Sequence, residues 1–269
     1  MANDVVGSHM PSLAALRERY IDRGRSMPRA VEAALRADPR PGAQAILRAL
    51  SRRRQKNRQE GQRLRLITRF ERALWSQGYQ HIAGVDEAGM APLAGPVVAA
   101  AVIFQPGARL PGVDDSKKLS AERRNTLRTL IEDQAVAIGV GRAEPEEIDT
   151  INIYHAGLLA MTRAVAALKT TAEYLLIDGR ALPAVELPQE RIVKGDQRSL
   201  SIAAASIIAK TTRDAYMVEL DHKYPGYGFA QHKGYPVKAH VDALARLGVT
   251  PQHRRSFGPV QEALEKRTA

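Results

Sequence analysis

Cysteine is absent from all 269 residues, which removes a disulfide scaffold, a zinc ribbon, an iron–sulfur site and a cysteine nucleophile at once. Long hydrophobic runs are missing as well. No stretch of about 18 uncharged apolar residues exists, so no transmembrane helix is expected. The longest apolar stretch, Pro92 to Phe104, is too short and is rich in strand formers. The N-terminus lacks the basic, apolar, small-residue order of a signal peptide, so a cytoplasmic protein without membrane contacts is expected. Gly7-Ser8-His9-Met10 looks like a cloning remnant; residues 1–9 are set aside and the natural chain is read as starting near Met10. Internal repeats are absent, and no histidine spacing suits a zinc site. His232, His240 and His253 are therefore read as structural or phosphate-contacting. What remains is ordinary for a soluble globular chain, 44% hydrophobic and 26% charged.

Acidic residues are scarce in one region only. Residues 1–80 hold 17 Lys+Arg against 7 Asp+Glu, whereas residues 81–269 hold 23 against 22. Nearly all of the +11 net charge thus sits in an N-terminal arm, densest at Arg52-Arg53-Arg54-Gln55-Lys56-Asn57-Arg58. Such asymmetry marks either a nucleic-acid-contacting arm or a solvated helix face. The cations are almost all arginine, which favours bidentate phosphate contact. Leu13, Leu16 and Tyr20, then Val31, Ala34 and Leu35, then Ile46, Leu47 and Leu50 repeat at helical spacing. A fourth helix is expected from Arg58 to Ser76, stopped by Gly78. Residues 10–78 thus read as a small all-α basic extension with little apolar material for a core of its own.

From residue 79 onward the pattern changes to α/β. Ile82–Val85 and Val97–Phe104 read as a strand pair, and Ala135–Arg142, Tyr174–Asp178 and Ile192–Lys194 as further strands. Helices are expected from Ser120 to Glu132, Asn152 to Lys169, Ser199 to His222 and Ala239 to Leu247, with a turn over Pro145 to Asp149. Strands alternating with helices argue for a largely buried sheet.

The informative segment is Gly84-Val85-Asp86-Glu87-Ala88-Gly89, two adjacent acids after an apolar strand. Alternate strand residues face opposite ways, so both acids reach one site only if Asp86 ends the strand and Glu87 begins the turn. Asp178 ends another apolar strand, and Asp196 follows Val193-Lys194-Gly195. Carboxylates at the ends of neighbouring strands converge at one edge of an open sheet. Clustered carboxylates repel, and a hard divalent cation, Mg²⁺ or Mn²⁺, would hold them ionised. Two such ions about 4 Å apart suit in-line phosphoryl displacement. Read as isolated residues, Asp86 and Asp178 fit helix caps or turns equally well.

The order of motifs resembles the ribonuclease HII family, the bacterial type 2 ribonucleases H. It carries Gly84-Val85-Asp86-Glu87-Ala88-Gly89 with Pro92-Leu93-Ala94-Gly95-Pro96, Asp115-Ser116-Lys117-Lys118-Leu119-Ser120, Leu176-Ile177-Asp178-Gly179 and Lys194-Gly195-Asp196. It continues through Ser201 to Asp214, Tyr224-Pro225-Gly226-Tyr227-Gly228-Phe229, His232-Lys233-Gly234-Tyr235 and His253-Arg254-Arg255-Ser256-Phe257. The resemblance implies an RNase H-like mixed five-stranded sheet flanked by helices over residues 79–269. It implies endonucleolytic cleavage of RNA in RNA–DNA hybrids and at ribonucleotides embedded in duplex DNA, with removal of misincorporated ribonucleotides as its purpose. By the same resemblance the products are 3′-hydroxyl and 5′-phosphate ends, and Asp86, Glu87, Asp178 and Asp196 are the catalytic metal ligands. Gly89, Met90, Ala91 and Tyr235 fall where the family reads the ribose 2′-hydroxyl. Lys117, Lys118, Lys210 and Arg213 are candidates to hold phosphates, although Lys210 and Arg213 also suit pairing with acids such as Asp214. A monomer is expected.

One turn departs from the family, whose Gly-Arg-Gly is Gly89-Met90-Ala91 here. Methionine cannot form a charge-assisted bond to phosphate, and Ala91 would be strained if its position required positive φ. Weaker or less junction-selective cleavage is expected. Two other readings follow from the same residues: a catalytically impaired RNA/DNA duplex-binding protein, and a metal-dependent DNA nuclease.

Overall fold

The structure, a computed structural model, describes residues 11–268; the proposed cloning remnant lies outside them. These residues form two compact units, divided between Arg63 and Leu64.

In the first unit prolines set the boundaries. Helix α1 (Leu13–Arg17) runs into a π-helical turn, Glu18–Asp22; α2 (Arg29–Ala37) follows Pro28, and α3 (Pro41–Ile67) starts on Pro41. Leu16, Tyr20, Met27, Leu35, Ala43, Ile46 and Leu50 make its small core. The sequence suggested separate helices around Ile46–Leu50 and from Arg58, but α3 is one helix of 27 residues. No proline occurs between Pro41 and Pro92, and the basic run is built of good helix formers. The break comes instead at Thr68, whose hydroxyl donates back to the Leu64 carbonyl at 2.7 Å.

The second unit begins with the end of α3. Leu64 and Ile67 pack into the core beneath the sheet, and α4 (Arg69–Ser76) adds Phe70 and Leu74. The fully buried Glu71 carboxylate accepts from the hydroxyls of Ser199 (2.6 Å) and Ser201 (2.8 Å) and from the Ser201 amide (2.9 Å). Residues 64–78 are therefore built into this unit.

The sheet contains β1 (Ile82–Ala88), β2 (Val97–Phe104), β3 (Ala135–Ala143), β4 (Tyr174–Asp178) and β5 (Gln189–Ile192) in the order β3-β2-β1-β4-β5. β2 is antiparallel to both β1 and β3, whereas β1, β4 and β5 run parallel. α5 (Ala121–Gln134) precedes β3, α6 (Pro145–Ala166) links β3 to β4, and α7 (Leu200–Lys223) follows β5. The period of two sorts the side chains. Ala83, Val85, Val97, Ala99 and Ala101 meet Ala156, Ala160 and Met161 of α6, while Ala100, Val102 and Phe104 meet Ala203, Ala204 and Ile207 of α7. Close approach demands glycine at Gly84, where a Cβ would stand 2.1 Å from the Ser201 carbonyl carbon. The short α8 (Phe229–His232), α9 (Lys238–Leu247) and α10 (Gly258–Thr268) complete the unit.

Two sequence expectations change here. Pro145–Asp149 is the first turn of α6, closed by the Glu144 amide donating to the Glu147 carboxylate (3.0 Å). The helix kinks at Asn152 (φ 65°), whose side-chain oxygen then accepts from the amides of Tyr154 and His155, so Asn152 caps the second segment. The last strand ends at Ile192, with Val193 exposed beyond it.

Candidate active site

Parallel pairing carries the first carboxylates together. β1 and β4 are in register from Ile82 beside Tyr174 to Val85 beside Ile177, so the next residue on each strand is Asp86 and Asp178. The sequence argument required β1 to end at Asp86. Instead β1 continues through Ala88, because β2 still pairs with Glu87 and Ala88. Only its β4 neighbour stops, and the Asp178 charge at that end raises both acids. Asp86 faces α7, where Ser206 hydrogen-bonds it. Glu87, one residue on, belongs to the α6 face of the pleat.

Asp196 comes in on the 3-10 turn Gly195–Gln197 between β5 and α7. That turn is pinned by Asp178, whose Oδ1 accepts from the Gly195 amide at 2.6 Å. A fifth carboxylate is present that the sequence reading passed over, although it opens one of the motifs. Buried Asp115 caps its own turn at the Lys117 amide (2.9 Å) and accepts from the Gln197 side chain (3.2 Å). Ser116 Oγ lies 2.9 Å from Ser206 Oγ, tying this loop to the same helix that touches Asp86.

The cluster is electrostatically uncomfortable. Burial, then the charges of Glu87 and Asp178, push the Asp86 carboxyl well above its usual range. Burial also raises Glu87, with Arg180 the strongest influence pulling it down. Asp196 is raised by burial, by Asp115 and by Asp178. Lys117 lies 3.7 Å from Asp196, yet its side chain is 82% exposed. Burial opposes the Lys117 charge but is outweighed by Asp196, Asp86, Asp115 and Asp178. Among the described residues no three side chains close into a ready-made metal cage. The donor set still fits a divalent cation. All the groups are hard oxygens, and Glu87 Oε2 is buried with no hydrogen-bond partner.

The remaining predicted residues fall into two groups. Lys118 is exposed beside Asp114 (3.4 Å), and Lys210 pairs with Asp214 (2.7 Å) while lying 5.8 Å from the centre of the Tyr235 ring. Tyr235 is 38% exposed. Gly89 has φ +96°, and a Cβ there would meet Arg213. Met90 is half-buried against the α6 face, and Ala91 is exposed. Ala91 does not need positive φ and is not strained: among the described residues the non-glycine residues with positive φ are Asn152, Lys194 and Lys233.

Arg213 is a correction. It is fully buried, donating to the carbonyls of Pro96 (2.9 Å), Ala94 (2.9 Å) and Lys233 (3.0 Å), so its guanidinium is not presented to a phosphate. Arg254, not singled out from sequence, does the same for the other side of this turn. It donates to Gly89 (2.6 Å), Met90 (3.0 Å) and Gly95 (2.8 Å). His240 and His253 are structural: buried, they touch through their Nε2 atoms at 3.1 Å, and burial lowers them to about 4 and about 3.

The family profile "Ribonuclease HII" matches residues 83–260, and "Ribonuclease HII N-terminal domain" matches residues 26–75. The chain is 59% identical over 254 residues to the ribonuclease HII of Myxococcus xanthus, covering 94% of this chain and 87% of that one. It is 53% identical to the ribonuclease HII of Geobacillus thermodenitrificans, covering 86% and 88%. The ribonuclease H2 of Pyrococcus horikoshii superposes with a TM-score of 0.60 at 27% identity, covering 69% of this chain and 98% of that one. The chain belongs to the ribonuclease HII family, metal-dependent endonucleases that act on RNA–DNA hybrids. No helix among the described residues is long and apolar enough to cross a membrane.

Proposed function

We propose that this chain cleaves the RNA strand of RNA–DNA hybrids and nicks duplex DNA at embedded ribonucleotides, leaving 3′-hydroxyl and 5′-phosphate ends. The reading rests on the convergence of Asp86, Glu87, Asp178 and Asp196, with Glu87 Oε2 left unpartnered among them. These four side chains would hold two divalent cations, Asp86 as the shared ligand because its charge meets both Glu87 and Asp178. When bound, Mg²⁺ or Mn²⁺ supplies Lewis-acid stabilisation of the attacking and departing oxygens. The protein's own contribution is positional. Ser206 and the Glu87 amide (2.8 Å) orient Asp86, and Asp178 fixes the turn that carries Asp196. Gly89, Met90 and Ala91 offer backbone groups to the ribose 2′-hydroxyl, the group that distinguishes RNA. Tyr235 lies against the sugar, and Lys117, Lys118 and Lys210 hold phosphates.

The test uses three duplexes: DNA with one ribonucleotide, a uniform RNA–DNA hybrid, and DNA alone, each with Mg²⁺ or Mn²⁺. Cutting on the 5′ side of the lone ribonucleotide is expected, with DNA left intact. Cutting of DNA alone would replace this reading with that of a DNA nuclease, and metal-dependent binding without cutting with that of an impaired duplex binder.

The basic arm adds duplex affinity in this proposal. Glu32 is already engaged by Arg54 (2.7 Å) and Arg36 (2.7 Å), which hold its carboxyl at about 2. Arg48, Arg52 and Lys56 recur every four residues of α3, all three exposed. An open depression of about 800 Å³ is lined by Arg36, Arg48, Arg54 and Arg58 together with Glu32. Changing Arg48, Arg52 and Lys56 to Gln should flatten the dependence of log affinity on log salt by ~0.9 for each phosphate no longer neutralised. Binding titrations from low to high salt measure it, and an unchanged slope removes the arm from the interface.

A further inference from the structure

Asp178 is followed by Gly179 (φ +63°) and by Arg180, whose amide turns back to the Asp178 carbonyl at 2.7 Å. This tight reversal puts a guanidinium directly after a candidate metal ligand. The Arg180 guanidinium lies over the Tyr154 ring of α6, 4.9 Å from its centre. A Cβ built on Gly157 would stand 3.1 Å from Arg180 Nη1 and 3.1 Å from Met90 Sδ, so the two side chains share the space above one glycine. Arg180 Nη1 is buried and has no hydrogen-bond partner, and among the described residues no carboxylate forms an ion pair with it.

A buried cationic donor without an acceptor is costly unless a ligand supplies one. Here the donor is planar, oriented by an aromatic face and placed beside the turn that meets the substrate. A guanidinium fork matches the oxygens of a phosphodiester. Its charge also reaches Glu87, where it is the largest influence favouring the ionised carboxylate. We propose that Arg180 binds a phosphate of the cleaved strand beside the Gly89–Met90–Ala91 turn, supplying the cation that Met90 does not. Tyr154 sets the plane of the guanidinium, and Gly157 leaves room for it. The inference rests on the proposed ribonucleotide-cleaving function.

The experiment compares the unmodified protein with R180A, R180K and the double variant R180A/M90R on duplex DNA carrying one ribonucleotide. A parallel set of duplexes has a single neutral methylphosphonate at each phosphate around the ribonucleotide. R180A is expected to raise KM about tenfold, the effect of removing one charge-assisted hydrogen bond, with a smaller fall in kcat. R180K recovers part of the loss, and R180A/M90R recovers most of it by restoring a guanidinium from the turn. One methylphosphonate position should weaken the unmodified protein by a similar factor and leave R180A unaffected. The proposal is overturned if R180A keeps its KM, or if it loses activity while responding to every methylphosphonate as the unmodified protein does. An unmodified protein that cuts no ribonucleotide-containing duplex would instead overturn the functional reading itself, whatever Arg180 does.

Discussion

Asp86→Asn should lower cleavage by about a hundred- to a thousandfold, the scale seen when a group that stabilises developing charge is removed, while raising the melting temperature in metal-free buffer. Both halves follow from one arrangement. Asp86 is buried between Glu87 and Asp178, so its ionised form is disfavoured in the folded chain when no cation is present. Its carboxyl is therefore raised on folding, and the native state binds more protons than the unfolded one. Stability must then fall as pH rises from the unfolded carboxylate range through the folded value. Asparagine keeps the shape, takes no charge and escapes that loss. The gain in melting temperature should be largest at pH 8 and shrink toward pH 5. Adding Mg²⁺ or Mn²⁺ should stabilise the parent more than the variant, because a cation that binds only the native state raises apparent stability by mass action. Thermal melts from pH 5 to 8, with and without metal, and single-turnover cleavage measure these effects. Retained cleavage in D86N would remove Asp86 from the chemistry; a lower melting point at pH 8 would show that the carboxylate is satisfied by the protein itself.

The elements that place this carboxylate were readable because each is local. An apolar strand ending in an acid states both its burial and its edge, as Tyr174 to Asp178 does. The strong periodicity after Asn152 states a helix, and Asn152 itself is its cap. The mixed five-stranded sheet came from the ordered motifs and their resemblance. The pairing of β1 with β2 was read as a strand pair and holds, but the pairing of β1 with β4 and its full length could not be read, because that length depends on β2 continuing where β4 stops. That is why Asp86 and Glu87 meet Asp178 from within a strand instead of from a strand end and a turn. The arginines were least legible. Arg213 and Arg254 have the same composition signal as a surface cation, and nothing nearby in the chain shows that backbone carbonyls from residues 89–96 enclose them. Arg180 was hidden for the same reason: its relevance lies in its nearness to Met90 and Tyr154, which are distant in sequence.

Arg254→Ala should cost about 3–5 kcal/mol of stability, the range for breaking a buried charged network, and take cleavage down with it. Arg254 is fully enclosed, with Asp149 the carboxylate whose charge favours its cation. Its donors go to the carbonyls of Gly89, Met90 and Gly95. Burial, then repulsion from Arg213, lowers it to about 9, so near neutrality it stays a cation held by carbonyl dipoles. Truncation leaves those carbonyls without donors and opens a void as large as the side chain. Lysine is a poor substitute because it offers a point charge where several carbonyls converge on a planar fork; R254K should recover less than half of the stability that R254A forfeits. Arg213 grips the same turn at Ala94 and Pro96. Once either arginine is gone, the segment from Gly89 to Pro96 is already loosened and the mutual repulsion has vanished. The double variant R213M/R254M should therefore lose less than the sum of the two single losses, as residues sharing one structural element do. Denaturant melts of the three variants give the coupling, and strict additivity would mean that the two arginines hold independent pieces of the chain. Cleavage should track the loosening more steeply than stability does. The backbone groups that face the ribose are the other side of the turn whose carbonyls these guanidinium groups fix, and a displacement of a fraction of an ångström there is felt directly at the 2′-hydroxyl.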